Sequence, residues 1–225
     1  MQYYLFVRNW SEVWAFFIPL TIMFLRKGSI PERFAPIKYY VITGLIINTI
    51  STTMFVFHKT LPHALSNNNV LYNIHSVARV LFFSWFLRGS GMFRSDKLFR
   101  IVLPLYFAFI LVNFIFFQSP LNFSTPLFIT ETIVLIIFST SYFFHAILND
   151  ETGKSDRPSF LICSGLLIFQ AINFFIYLFY GPIGQNLSIQ LKRMIWTIHN
   201  FSLVAFCIVI AIAFYRASYQ KQTSK

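Results

Sequence analysis

"LYNIHSVARVLFFSW", residues 71–85, reads as a membrane-spanning helix except at two positions. His75 and Arg79 stand one helical turn apart in a stretch that otherwise faces hydrocarbon. A guanidinium cannot shed its proton at accessible pH, so at that depth it requires a counter-ion or an anionic ligand. The stretch is one of several. Of 225 residues, 56% are apolar, 20% aromatic and 11% charged, with 30 Phe. That balance excludes a soluble domain, and several apolar runs approach the ~20 residues needed to cross a bilayer.

Seven spans follow, at roughly Trp10–Leu25, Tyr39–Phe57, Val70–Leu87, Ile101–Phe117, Leu127–Leu148, Phe160–Tyr180 and Met194–Tyr215. Gly, Pro, Ser and Asn cluster between them, as connections require. Asn9 and Glu12 have capping-box spacing, which places the start of the first span at Asn9. The loops are short, so one membrane domain fills residues 1–225. The fold class expected is an all-α membrane protein of seven transmembrane helices. The N-terminus lacks a basic region followed by a small-residue cleavage site, so no cleavable signal is read there.

The basic residues orient the bundle. The first, third and fifth loops and the C-terminal tail hold 13 of the 18 Lys and Arg, among them Arg26, Arg33, Lys38, Arg88, Arg100, Arg157 and Arg216. The opposite side holds Arg8, Lys59, Lys192 and Arg193. The positive-inside rule then puts the N-terminus outside and the C-terminus in the cytoplasm. The +11 net charge is thereby a matter of topology, and nucleic acid is not an expected partner. Arg79 belongs to no loop.

Five of the seven acids (Glu32, Asp96, Asp150, Glu151 and Asp156) fall in the cytoplasmic loops, whereas Glu12 and Glu131 each lie near the outer end of a span. The symmetry prompts a search for a repeat. "SEVWAFF" in span 1 matches "TETIVLI" in span 5, setting Glu12 against Glu131 at an offset of 119. "TGLIIN" matches "SGLLIFQ", setting Gly44 against Gly165 at 121, and "YNIH" matches "WTIH", setting His75 against His199 at 124. The expectation is a parallel 3+1+3 duplication, with one repeat at about 9–88, a linker helix at about 101–117 and the second repeat at about 127–216. Such repeats are related by an axis along the membrane normal.

The duplication gathers a candidate site. Glu12, His75, Glu131 and His199 each lie about two turns or less from an outer helix end, roughly 4–9 Å below it. Arg79 lies ~6 Å deeper, on the face of His75 and Tyr72. Trp196 shares a face with His199 and Asn200, and Asn48, Gln170 and Asn173 add amides in spans 2 and 6. Ionisable groups at such depth face a bundle interior or a water-filled cavity. These eleven residues are the expected lining of a ligand pocket open to the outside. The competing reading is structural: Glu12 caps its helix, Glu131 sits among headgroups, and Arg79 pairs with Glu131, or with Glu12 if span 1 packs on span 3. Between these, a ligand-facing Arg79 is the expectation adopted.

No Gly-rich phosphate loop, Cys pair, nucleophile elbow or HExxH motif occurs, so an enzyme is not favoured. Span 7 carries no mid-membrane lysine, which argues against retinal. Cys163 and Cys207 fall within spans and read as packing residues. His75 and His199, at matched depth, are the ligands to be expected if a b-type haem or a metal is bound.

Glu12 with Pro19, "NNNVLYNIH" leading into span 3, "SGLLIF" in span 6 and "IWTIHN" in span 7 together resemble a group of uncharacterised small seven-helix integral membrane proteins of Bacteroidota-type bacteria. The resemblance covers nearly the whole chain and implies a bacterial inner-membrane location. Such proteins often accompany sensor-kinase genes, which implies signalling, and members often carry Tyr where His75 stands here. The function expected is a sensor or receptor module that binds an unidentified small ligand from the periplasmic side, with a signalling partner at its basic cytoplasmic loops. The alternatives are a transporter of a small polar metabolite, by analogy with 3+1+3 carriers, and a haem or metal-binding protein.

Overall fold

The computed structural model describes residues 10–26, 28–58, 60, 62, 67–90, 97–148, 157–180 and 187–223. Arg8, Asn9, Lys59, Asp96, Asp150, Glu151 and Asp156, each invoked above, lie outside the described residues. Seven α-helices follow one another: α1 Ser11–Leu25, α2 Ala35–Val56, α3 Asn69–Gly89, α4 Lys97–Val112, α5 Thr125–Leu148, α6 Arg157–Tyr180 and α7 Ile189–Thr223. A 3₁₀ turn, Glu32–Phe34, leads into α2, and α4 continues as a π-turn over Asn113–Phe117. No strand occurs among the described residues.

Six of these helices are long and apolar enough to cross a membrane, and α1 is a shorter apolar helix. The chain is an all-α membrane protein. Its expected spans lie within the observed helices, the fourth counting its π-turn, except that Trp10 and Phe57 stand one residue outside, because hydrocarbon leaves a backbone no partner but itself and the helix must extend about as far as the apolar run. At 35 residues α7 is about 52 Å long, more than the ~30 Å of a hydrocarbon core, so its ends run past the membrane. Prolines mark several boundaries. Pro36, Pro126 and Pro158 each stand at the second position of a helix, where a missing N–H costs no intrahelical bond. Pro19 and Pro104 stand inside α1 and α4.

The helices close into a ring. α1 packs on α2 and α7, α2 on α3, α3 on α5, α5 on α6, and α6 on α7. α4 stands outside the ring, held chiefly to α5 and stacked on it through Phe99 and Phe138, whose ring centroids are 4.5 Å apart. Accordingly α4 carries few buried side chains and turns Ile101, Leu105 and Leu111 outward. The ring interior is filled by aromatic side chains, with Phe16, Tyr40, Phe83, Phe169 and Phe206 buried. Lipid-facing bulk such as Phe24, Trp85, Ile147 and Phe201 covers the outside.

The two matched glycines admit close approach on different neighbours. A Cβ on Gly44 would meet the Phe16 ring of α1 at 2.5 Å, whereas one on Gly165 would meet Val209 of α7 at 2.9 Å. Small residues let apolar helices pack closely where no hydrophobic drive exists between them.

Candidate functional site

The sequence-predicted residues are brought together at the end of the ring where α1, α3, α5 and α7 begin. A cleft of about 510 Å³ opens there, lined by Glu12, Thr52, Asn68, Asn69, Tyr72, Phe123, Lys192, Arg193, Trp196 and Asn200, among others. Its floor is Glu12. Tyr72 donates its hydroxyl hydrogen to Glu12 Oε2 at 3.4 Å, and Trp196 donates its indole N–H to Oε1 at 3.1 Å. One carboxylate from α1 thus ties α3 to α7. The two aromatic rings meet edge to face, centroids 6.3 Å apart and planes at 86°, an arrangement the ring quadrupoles favour.

This geometry corrects the capping-box reading. α1 starts at Ser11 with Trp10 at the cap and no side-chain cap hydrogen bond. Glu12 points into the bundle because the interior offers it an indole N–H and a phenol.

Below the floor lies a chamber of about 20 Å³, bounded by Glu12, Asn48, Tyr72, His75, Arg79, Tyr177, Trp196, His199 and Leu203, among others. That volume holds about one water molecule. Arg79 lines the chamber and not the cleft above it. Its Nη1 lies 2.9 Å from Glu131 Oε1, and its guanidinium sits over the Phe169 ring, 5.5 Å from the centroid. The Nη1–Oε1 contact is an ion pair without hydrogen-bond alignment, since neither atom meets a partner at a good angle. Glu131 is wholly buried, and its other oxygen accepts from Ser76 at 2.5 Å. The counter-ion that Arg79 requires is therefore supplied from within the chain, by α5.

The histidines differ. His199 donates through Nδ1 to Asn173 Oδ1, and the Asn173 amide nitrogen donates to Phe169 O at 2.7 Å. His75 stacks on Tyr40, centroids 6.0 Å apart, and its Nε2 has no hydrogen-bond partner. Both line the one-water chamber, so a porphyrin between them would require α3 and α7 to part. No group of three or more His, Cys, Asp or Glu side chains that could hold a metal ion occurs among the described residues. Asn48 turns back on its own helix, donating to Gly44 O at 2.8 Å. Gln170 is buried beside Glu131 with neither amide atom in a hydrogen bond of good geometry. Glu131, Gln170 and Asn173 line neither space and form the layer behind the chamber.

Some contributors carried no signal in the sequence. Asn73 donates to Pro120 O and Asn122 O, each at 2.9 Å, and accepts from the Ser124 N–H at 3.4 Å, pinning the α4–α5 connection against α3. Asn113, at the start of the π-turn, donates to Ser124 Oγ at 3.1 Å in the same cluster. That pinned connection presents Phe123 to the cleft, 6.3 Å from Trp196. Asn73 stands within the "YNIH" match, but an Asn near a helix start has no signature until the loop it binds folds back on it. No protein-family model, curated protein or solved structure matches the chain.

Proposed function

We propose that the protein is a receptor-type membrane module that takes a small polar molecule into the cleft from the periplasmic side of a bacterial inner membrane. The observation that carries this reading is the stacking of a cleft of about 510 Å³, within the range of small-ligand sites, directly on a buried Glu12 held by Tyr72 and Trp196. Polar side chains buried in a membrane bundle are costly and mark functional interiors. The asymmetry of basic residues supports the orientation, with the cleft outward and Arg26, Arg33, Arg88, Arg100 and Arg216 toward the cytoplasm. Those basic loops are where a signalling partner would dock.

The 3+1+3 duplication belongs to the same reading and has support in the packing. Exchanging α1, α2 and α3 for α5, α6 and α7 leaves the ring of contacts unchanged, with α4 as the linker outside it. At the offset of the two histidines, Tyr72 also corresponds to Trp196, and these two meet each other over Glu12. The glycines do not share this correspondence, since Gly44 faces α1 and Gly165 faces α7.

The test is a thermal-shift screen of the detergent-purified protein against small polar metabolites. At least one should raise the melting temperature, and proteoliposomes should not accumulate it. No stabilising compound would remove the reading. Uptake would replace it with a carrier, which the two-by-three ring favours as the second reading by fold analogy. A Soret band in the purified protein would replace it with a haem protein.

A further inference from the structure

The two matched carboxylates are provided for unequally. Glu131 has Arg79 at 2.9 Å as well as Ser76. Glu12, 6% exposed, has two neutral donors and, among the described residues, no ion pair within 4 Å, the charge of Arg79 reaching it only at longer range. The offset that carries His75 to His199 carries Arg79 to Leu203 and Ser76 to Asn200. Leu203 bounds the chamber under Glu12, and Asn200 lines the cleft beside it. The position from which a second arginine would reach Glu12 thus holds a leucine.

We propose that the close ion-pair partner Glu12 lacks comes from the ligand: the cleft binds an alkylated ammonium group, seated on Glu12 against the rings of Tyr72, Phe123 and Trp196. This rests on the receptor reading and names its ligand class. Each Glu12 oxygen already accepts one hydrogen bond, so what the site still requires is positive charge more than further N–H donors. A buried carboxylate without a counter-charge is expensive to maintain. Tyr72, Phe123 and Trp196 all line the cleft at its floor, and aromatic faces beside a carboxylate are the surroundings that stabilise a quaternary ammonium, Trp most strongly. Lys192 and Arg193 line the same cleft on the opening turn of α7. They would receive an anionic end, which makes a betaine-type zwitterion the best-matched ligand.

The experiment uses the full chain in detergent, read by melting temperature and by tryptophan fluorescence. The probes are glycine betaine, choline, and 3,3-dimethyl-1-butanol, the neutral isostere of choline. Both quaternary ammonium compounds should stabilise the protein and change its emission, betaine binding tighter, and the neutral alcohol should do neither. Replacing Lys192 and Arg193 together by Gln should erase the advantage of betaine over choline. Glu12→Gln should weaken both quaternary ammonium compounds about thirtyfold or more, as loss of one partner of a buried charge pair does. Leu203→Arg should abolish binding by giving Glu12 an internal partner, and Glu12→Gln, being isosteric, decides the matter if that variant does not fold. Equal response to the neutral alcohol, no response to either quaternary ammonium compound, or binding of both unchanged in Glu12→Gln would overturn the proposal. A screened metabolite that stabilises wild type and Glu12→Gln alike would overturn it while leaving the receptor reading in place.

Discussion

Arg79 of α3 and Glu131 of α5 lie 2.9 Å apart inside the ring, 6% and 0% exposed, and join the two halves of the bundle by a charge pair. Removing one member leaves the other charged and unpaired in a low-dielectric interior, which costs about 3–5 kcal/mol, whereas removing both is close to neutral. Arg79→Met should therefore lower the melting temperature in detergent by about 10 °C. Arg79→Met with Glu131→Gln should recover most of that loss. A double variant no more stable than the single one would show that the pair does not hold α3 to α5.

Gly44 tests the α1–α2 contact. The Phe16 ring that a Cβ would strike at 2.5 Å is itself packed edge-on to Tyr40, centroids 5.6 Å apart, and cannot withdraw without disturbing the His75 stack. Gly44→Ala should destabilise by about 1–3 kcal/mol, the usual cost of overpacking. Adding Phe16→Leu should cost less than the two single changes summed. Wild-type stability in Gly44→Ala would mean that the helices stand further apart.

Asn73 holds the 118–124 connection through two carbonyls and one N–H. Asn73→Ala leaves those backbone groups short of partners, at about 1–3 kcal/mol. The loss should appear as faster amide hydrogen exchange over residues 118–124, with little change in α6. Unchanged exchange there would show that the loop is held by its own turns.

Topology is open to reporter fusions. Fusions after Arg100 and at the C-terminus should read cytoplasmic, and those at Asn122 and at Gln185, the latter outside the described residues, should read external. An external C-terminus would turn the cleft toward the cytoplasm and remove the periplasmic receptor reading.

What the sequence determined by itself is the class of fold and which polar residues stand within apolar helices. Apolar runs such as Leu127–Leu148 must be helical in lipid, since each backbone group there needs a partner within its own segment, and that is a local constraint. The same logic made Arg79 legible as a residue that requires an anion. Which anion was not legible. Glu131 and Glu12 are equivalent in composition and near equivalent in depth, and the choice follows from α3 packing on α5. Glu12 illustrates the limit most clearly. Its local spacing reads as a cap, and only the approach of Tyr72 from 60 residues away and Trp196 from 184 turns it into the floor of a cleft. Helix formation in a membrane is decided within one segment, but the partner of a buried charge is decided by which segments meet, and the tertiary structure alone supplies that.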